Sequence, residues 1–434
     1  MTHVAVFGGR PLTGEVTPSA NKNAVLPILC ASLLTDQEVV LRNVPDLIDV
    51  RKILELFAAL GSEVHADWYA GELRLRHGPD LDANAARLPL GMRAAVLLIP
   101  GLLCRFGQVV IADDPKGCTL GVREIDPHIE IFRMFGAVVA RDGESIWLRA
   151  PRGLRAASHW LDYASVTATE NFMMCATASE GRSVLVNAAS EPHVQELAAF
   201  LFALGANITS EPGGRLAVES QPGRLKSVTH RFDEDHHEIT TFLALAAVTG
   251  GKVAVRNGAP SRFGLIDRTF AKFGVEVRHE DGWTRVDAPR RLEVRRPFTP
   301  HLMQKVEAAP WPYLPADLLP IFIALGACAT GSALYWNKVY EGALGWTSEL
   351  AKFGVQTTLC DPHRVIVTGG GRLAPADVEC PYIIRVAIAL LMIAARIEGH
   401  SRIRNADSIR RAHPAFLENL RSLGAETEWE ELAA

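Results

Sequence analysis

Two short segments carry side chains suited to holding an anion and attacking or protonating a reactive carbon. The first, GEVTPSANKNA at residues 14–24, runs straight into the apolar stretch VLPILCASLL. Ser19 or Asn21 can cap a helix beginning there, whose N-terminal amides favour an anion, with Lys22 and Asn23 aimed at the same place. A solvated lysine in a loop fits the same residues, and no glycine-rich phosphate loop of the Walker type accompanies them. The second, DPKGCTLGVREIDPH at residues 114–128, sets glycines around Cys118 with Lys116 two before it and Arg123 five after. Electropositive, exposed surroundings favour thiolate and make such a sulfur available as acid or nucleophile. The other six cysteines lie in apolar runs or near strand ends and read as packing residues.

Something must hold these segments, and the chain's repetition says what. A [Leu/Phe]-Gly pair closes a helical apolar run six times, at Leu60-Gly61, Phe135-Gly136, Leu204-Gly205, Phe273-Gly274, Phe353-Gly354 and Leu423-Gly424. Glycine there takes the left-handed conformation that ends a helix. Strand pairs follow, such as SEVHAD with ELRLRH and ANITSE with RLAVES. Leading strands end near Asn43, Asp113, Asn187, Asn257, Asn337 and Asn405. The predicted unit is therefore strand, loop, helix, glycine stop, strand pair and a second apolar helix, used six times.

A length of 434 residues exceeds what one core serves and points to two domains of three units, and 48% hydrophobic residues suffice for two cores. Apolar runs fall short of the ~18 residues of a membrane span, and the N-terminus MTHVAVFGGRPL does not read as a secretory signal. Seven cysteines without framework spacing fit reduced thiols in the cytoplasm. No CxxC occurs, and His236-His237 lacks companions at ligand spacing, so a structural zinc site is not expected. A net charge of −4 argues against general nucleic-acid binding, so an anionic ligand must be met by a local cluster of Lys and Arg. No linker marks the domain boundary; the midpoint of the repeats falls in the polar stretch SVTHRFDEDHHE near residues 227–238.

SANKNAVLPIL resembles the SGAKNAALPIL of the enolpyruvyl transferases, in particular the branch that acts on UDP-N-acetylglucosamine, and KGCTLGVREIDPH resembles that branch's GGCTIGxRPVDLH. Asn43-Val44-Pro45 with Asp49, Met92-Arg93-Ala94, the Asn187 to Pro192 segment and Pro315-Ala316-Asp317 find counterparts in order. The resemblance implies an α/β fold of two inside-out barrel domains, each of three βαβαββ-type units. One domain would span residues 22–234 and the other 1–21 plus 235–434, with the active site in the cleft between them.

It also implies a reaction, transfer of the enolpyruvyl group of phosphoenolpyruvate to a sugar hydroxyl through a tetrahedral ketal, an early step of peptidoglycan precursor synthesis. By resemblance Asp317 is the candidate base, although it could equally cap the following helix. Cys118 matches the residue that protonates the methylene carbon or adds to the donor, and that the epoxide antibiotic fosfomycin alkylates in the family. Lys22, Arg123 and Arg411 match cations around the phosphate, Arg93 a nearby cation, and Arg385 one arm on the carboxylate. Asn23 matches a contact to the amino sugar, Asp126 the acceptor of the uracil ring, and Ser165 with Val166 the diphosphate segment.

Departures fall on both substrates. The second carboxylate-binding arginine is Ala343, and the aspartate two residues before Arg385 is Ile383, so a charge and its partner are lost together. Lys338 or Arg410 could supply a cation, though neither sits at the matching position. A lysine near the diphosphate is Tyr163, and a glycine there is Thr167, which could crowd a close backbone approach. Another acceptor, such as UMP, and a non-catalytic uridine-nucleotide-binding relative are the alternatives. No metal, cofactor, nucleic acid, membrane or obligate protein partner is implied.

Overall fold

A computed structural model describes residues 2–85, 93–112, 125–143, 145–299 and 301–431. All six glycines that follow the predicted helices have positive φ, at 90°, 93°, 121°, 77°, 89° and 98° for Gly61, Gly136, Gly205, Gly274, Gly354 and Gly424. A Cβ is disfavoured in that conformation, which is why each helical run stops there. Three asparagines at the ends of leading strands are also left-handed: Asn43, Asn187 and Asn405. Each donates its side-chain amide to a carbonyl at the end of a neighbouring strand, Phe232 at 2.9 Å, Leu161 at 3.0 Å and Cys380 at 3.0 Å. The same local solution thus recurs in three repeats.

The chain divides into two compact units, one of Met1–Ser19 with Asp233–Ala434, the other built from Ala20–Gly117 and Arg123–Phe232. Among the described residues each unit contains three small sheets. Their strands alternate: Leu73 and Leu75 are buried while Arg74 and Arg76 face solvent in Glu72–Arg76. The buried faces pack on helices that are apolar nearly all round. In the first unit His236–Thr249 is buried along its whole length and packs with Leu319–Cys328 and Ile384–Arg396. In the second, Lys22–Ala31, Ile99–Phe106 and Val166–Thr177 supply the buried helices. Helices without a polar face belong in an interior, so these helices lie at the centre of each unit, while helices such as Ile48–Ala59 and Asp126–Met134 keep one exposed face.

In four repeats, among the described residues, the leading strand pairs with the second strand of the hairpin, as Gly181–Val186 does with Arg215–Ser220, and a short strand runs parallel along its other edge. The last repeat differs. There Thr2–Gly8 takes the inner position between Gly399–Arg404 and Glu426–Glu431, antiparallel to both, with Val4 opposite Ile403 and Trp429. The N-terminus therefore closes the repeat that the C-terminus opens. Thr13–Val16 then lies parallel to Lys252–Arg256, where a Cβ on Gly251 would fall 1.9 Å from the Leu12 carbonyl oxygen. Among the described residues no helix is long and apolar enough to cross a membrane.

Candidate active site

In the Ala20–Phe232 unit, Asn21 is the cap of helix Lys22–Ala31, its side chain accepting from the Asn23 amide at 2.9 Å. Ser19 belongs to the other unit, where its amide donates to Glu238 at 3.0 Å and its carbonyl accepts from the Asp235 amide at 2.8 Å. Lys22 lies 2.5 Å from the buried Asp49, in the first turn of Ile48–Ala59. That carboxylate sits at a helix N-terminus and fixes the ammonium on an otherwise flexible stem. Asn23 is exposed beside them.

Asp126 opens helix Asp126–Met134 with an exposed side chain, and Ser165 occupies the cap position of Val166–Thr177 without using its hydroxyl as a cap. His128 latches these two helix starts together. Its Nδ1 accepts from the Asn171 amide at 2.8 Å, which in a neutral ring leaves Nε2–H to donate to Thr167 Oγ1 at 3.2 Å. The hydroxyl of Thr167 is thereby engaged with the protein, while Tyr163 is exposed. Glu170, in the same helix, is fully buried; burial, then the charge of Glu191, push its carboxyl well above the usual range.

Arg93 opens the turn Arg93–Leu98, but its side chain lies outside the described residues. Lys116, Cys118 and Arg123 lie outside them altogether. Of the other cysteines, burial pushes the Cys328 and Cys380 thiols up to about 12, and Cys30 and Cys175 are raised for the same reason. These four suit packing, whereas Cys104 and Cys360 are exposed and so are not core residues.

The other unit holds Asp317, Arg385 and Arg411. Asp317 sits partly buried in the turn Ala316–Leu318. Helix Leu319–Cys328 is capped by Leu318 with no side-chain bond, so the alternative capping role of Asp317 is not realised. Arg385, in the first turn of Ile384–Arg396, has a side chain only 12% exposed, with Nη1 2.9 Å from His413 Nε2 and Nη2 3.4 Å from Asp235 Oδ2. Arg411 is half-buried two residues before His413.

Asp235 caps His236–Thr249, accepting at Oδ1 from the His237 amide at 2.9 Å and from His237 Nδ1 at 3.0 Å. Burial alone would raise its carboxyl, yet His237 and then Arg385 hold it well below the usual carboxylate range. The ligand atoms of Asp235, His236 and His237 lie within 4.8 Å of one another, the one such triad among the described residues that could hold a metal ion. The Arg385 guanidinium and the His237 hydrogen bonds already engage the Asp235 carboxylate there, and a cation would have to displace them.

Sequence reasoning missed this cluster because DEDHHE looked like a polar boundary. Asp235-x-x-Glu238 ahead of an apolar run is the spacing of a capping box, and that signal was available. Ala343 and Ile383 are each 8% exposed, and Ile383 belongs to the apolar core of its unit. Lys338 is committed to Glu307 at 2.6 Å and to the Trp336 ring at 4.3 Å, and Arg410 stacks on Trp429 at 4.0 Å. Both cations therefore have protein partners of their own.

Residues 6–420 match the family described as EPSP synthase (3-phosphoshikimate 1-carboxyvinyltransferase). A UDP-N-acetylglucosamine 1-carboxyvinyltransferase of Bradyrhizobium diazoefficiens is 37% identical over 422 residues, covering 97% of this chain and 96% of the relative. One of Borrelia garinii is 33% identical over 420 residues, covering 97% of each chain. Among solved structures, the enolpyruvyl transferase NikO from Streptomyces tendae superposes with a TM-score of 0.85 at 20% identity, over 99% of this chain and 98% of that one. EPSP synthase from Acinetobacter baumannii does so with a TM-score of 0.77 at 16% identity, over 99% and 100%. With six helix-stop repeats, buried central helices and a match from end to end, this chain belongs to the EPSP synthase family of enolpyruvyl (1-carboxyvinyl) transferases.

Proposed function

We propose that this enzyme transfers the enolpyruvyl group of phosphoenolpyruvate to the 3-hydroxyl of the amino sugar of UDP-N-acetylglucosamine, releasing phosphate, at the start of peptidoglycan precursor synthesis. The observation that carries this reading is identity above 30% to UDP-N-acetylglucosamine 1-carboxyvinyltransferases over nearly their whole length. A cytoplasmic setting goes with it, since both reactants are phosphorylated intracellular metabolites.

In this reading the acceptor hydroxyl gives its proton to Asp317 as its oxygen bonds to C2 of the donor, and the methylene carbon takes a proton from Cys118. The resulting ketal loses a proton from the same methyl carbon and expels phosphate, which restores the double bond. General acid and base groups of this kind contribute roughly 10²- to 10⁴-fold each. Lys22, Arg123 and Arg411 neutralise the phosphate with Arg93 nearby, and Arg385 holds the carboxylate, where a guanidinium can make two parallel hydrogen bonds. Asn23, Asp126, Ser165 and Val166 bind the nucleotide sugar. What supports the assignment of Asp317 is a partly buried carboxylate with no capping duty; what supports Lys22 is its fixed position at a helix N-terminus.

A second reading, transfer to another uridine nucleotide such as UMP, draws on Tyr163 and Thr167, which replace a lysine and a glycine in the diphosphate segment. Purified protein with phosphoenolpyruvate and a panel of uridine nucleotides, followed by phosphate release, separates the two. Turnover with UDP-N-acetylglucosamine supports the first; turnover with UMP alone supports the second. Nucleotide binding without phosphate release from any mixture would mark a non-catalytic relative.

A further inference from the structure

We infer that His413 is a positioning residue for Arg385, holding its guanidinium through a neutral acceptor so that the charge stays available to a substrate carboxylate. The inference rests on the assignment of Arg385 to the donor carboxylate.

The geometry constrains the imidazole. A guanidinium has five N–H donors and no acceptor, so the 2.9 Å contact from Arg385 Nη1 requires His413 Nε2 to be the bare nitrogen. In the neutral ring the proton is then on Nδ1, which faces Glu238 Oε2 at 3.3 Å. Glu238 is itself buried and fixed by the Ser19 amide on the same oxygen. The Arg385 contact therefore sets the tautomer, and Glu238, held by the Ser19 amide, stands on the Nδ1 side of the ring without a hydrogen bond to it.

A histidine differs here from the residue most often found beside a buried arginine, a carboxylate. A carboxylate at position 413 would orient Arg385 and also neutralise it. A neutral nitrogen orients without neutralising. One carboxylate oxygen, Asp235 Oδ2, also accepts from Nη2 at a long 3.4 Å, while its other oxygen accepts from His237, so His413 makes the shorter contact to the guanidinium. This matters in a chain where the matching second arginine is Ala343 and the aspartate ahead of Arg385 is Ile383. The single arm must keep both its aim and its charge.

His413 has a second connection. It is the residue just after helix Ser408–Ala412, with its amide bonded to the Ile409 carbonyl at 2.9 Å, and Arg411 lies on that helix. One imidazole, 2% exposed, thus ties the segment bearing Arg411 to the helix bearing Arg385. Asp235, His237, Glu238 and Arg385 are the charged or titratable groups that face this cluster.

The test uses the full chain with Arg385→Ala, His413→Phe and His413→Gln, measuring KM for phosphoenolpyruvate, kcat, and uridine nucleotide affinity by calorimetry. Loss of one oriented hydrogen bond predicts that His413→Phe raises the donor KM about 3- to 10-fold, with nucleotide affinity unchanged. His413→Gln, whose amide oxygen can accept from Arg385, should recover most of that loss. ¹⁵N-histidine spectra of the wild type should show His413 as the Nδ1–H tautomer; this readout does not depend on any variant folding. An Nε2–H tautomer, or a donor KM unmoved by His413→Phe while Arg385→Ala raises it, overturns the positioning role. A donor KM unmoved by Arg385→Ala overturns the carboxylate assignment and the inference with it.

Discussion

Acid should loosen the unit that carries Lys22 before it protonates most carboxylates, because His77 is buried as a neutral ring. The imidazole is fully enclosed, with Nε2 2.9 Å from Ser32 Oγ and Nδ1 2.8 Å from Ser62 Oγ. Ser32 follows directly on helix Lys22–Ala31 and gives its own proton to the Leu29 carbonyl, so it accepts from the ring. Burial, then the nearby Arg105 charge, lower the His77 pKa from 6.5 to about 3. The unfolded chain therefore takes up the proton first: this contribution to stability is complete above pH 6.5 and is lost as pH falls toward 3. At about 1.36 kcal/mol per unit, the loss is ~2 kcal/mol at pH 5 and ~4 kcal/mol at pH 3, where the folded ring begins to take up the proton as well.

His77→Gln removes the titration while keeping a donor and an acceptor, and any constant cost of the substitution cancels in the pH difference. Hydrogen exchange over residues 22–34, corrected for intrinsic rates, reads the opening free energy at pH 7.5 and pH 5. Wild type should lose ~2 kcal/mol relative to His77→Gln over that range. Parallel pH dependences in the two proteins would refute the reasoning.

Glu170→Gln should stabilise the same unit as pH rises. A carboxyl whose folded pKa is raised contributes fully below about pH 4.3 and loses about 1.36 kcal/mol per pH unit above it until the folded value is reached; melting at pH 5 and pH 8 should show the variant gaining, and an equal shift at both would count against a raised Glu170 carboxyl. Asp317→Asn should lower kcat by roughly 10²- to 10⁴-fold with little change in nucleotide affinity, since a base acts in the transition state. A matching loss of affinity would point to a binding role instead. Cys118→Ser should abolish alkylation by fosfomycin, read by intact-protein mass spectrometry; equal labelling of wild type and variant would remove Cys118 from the proposed chemistry.

Helix stops were legible because a glycine after a helical apolar run has one cheap conformation, and every one of the six adopts it. The hairpins were legible because alternation such as Leu73, Leu75 against Arg74, Arg76 reports one buried face. The parallel edge strands Ser158–Trp160 and Asp377–Glu379 were not, since three residues carry no period. Nor does local pattern reveal that Thr2–Gly8 fills the inner place of the last sheet, a pairing across some four hundred residues. Of the site, Lys22 and its cap could be read from the order Ser-Ala-Asn-Lys ahead of an apolar run. The Asp235, Glu238, His413 and Arg385 cluster could not be assembled, because its members meet only through the packing of separate helices.

The central claim is tested most directly by incubating ¹³C-labelled phosphoenolpyruvate with UDP-N-acetylglucosamine and the purified enzyme, and mapping the label by NMR. The account predicts one phosphate released per acceptor and the labelled enolpyruvyl carbons attached through the 3-oxygen of the sugar. Label that stays in the donor, or that moves only to UMP, would contradict it.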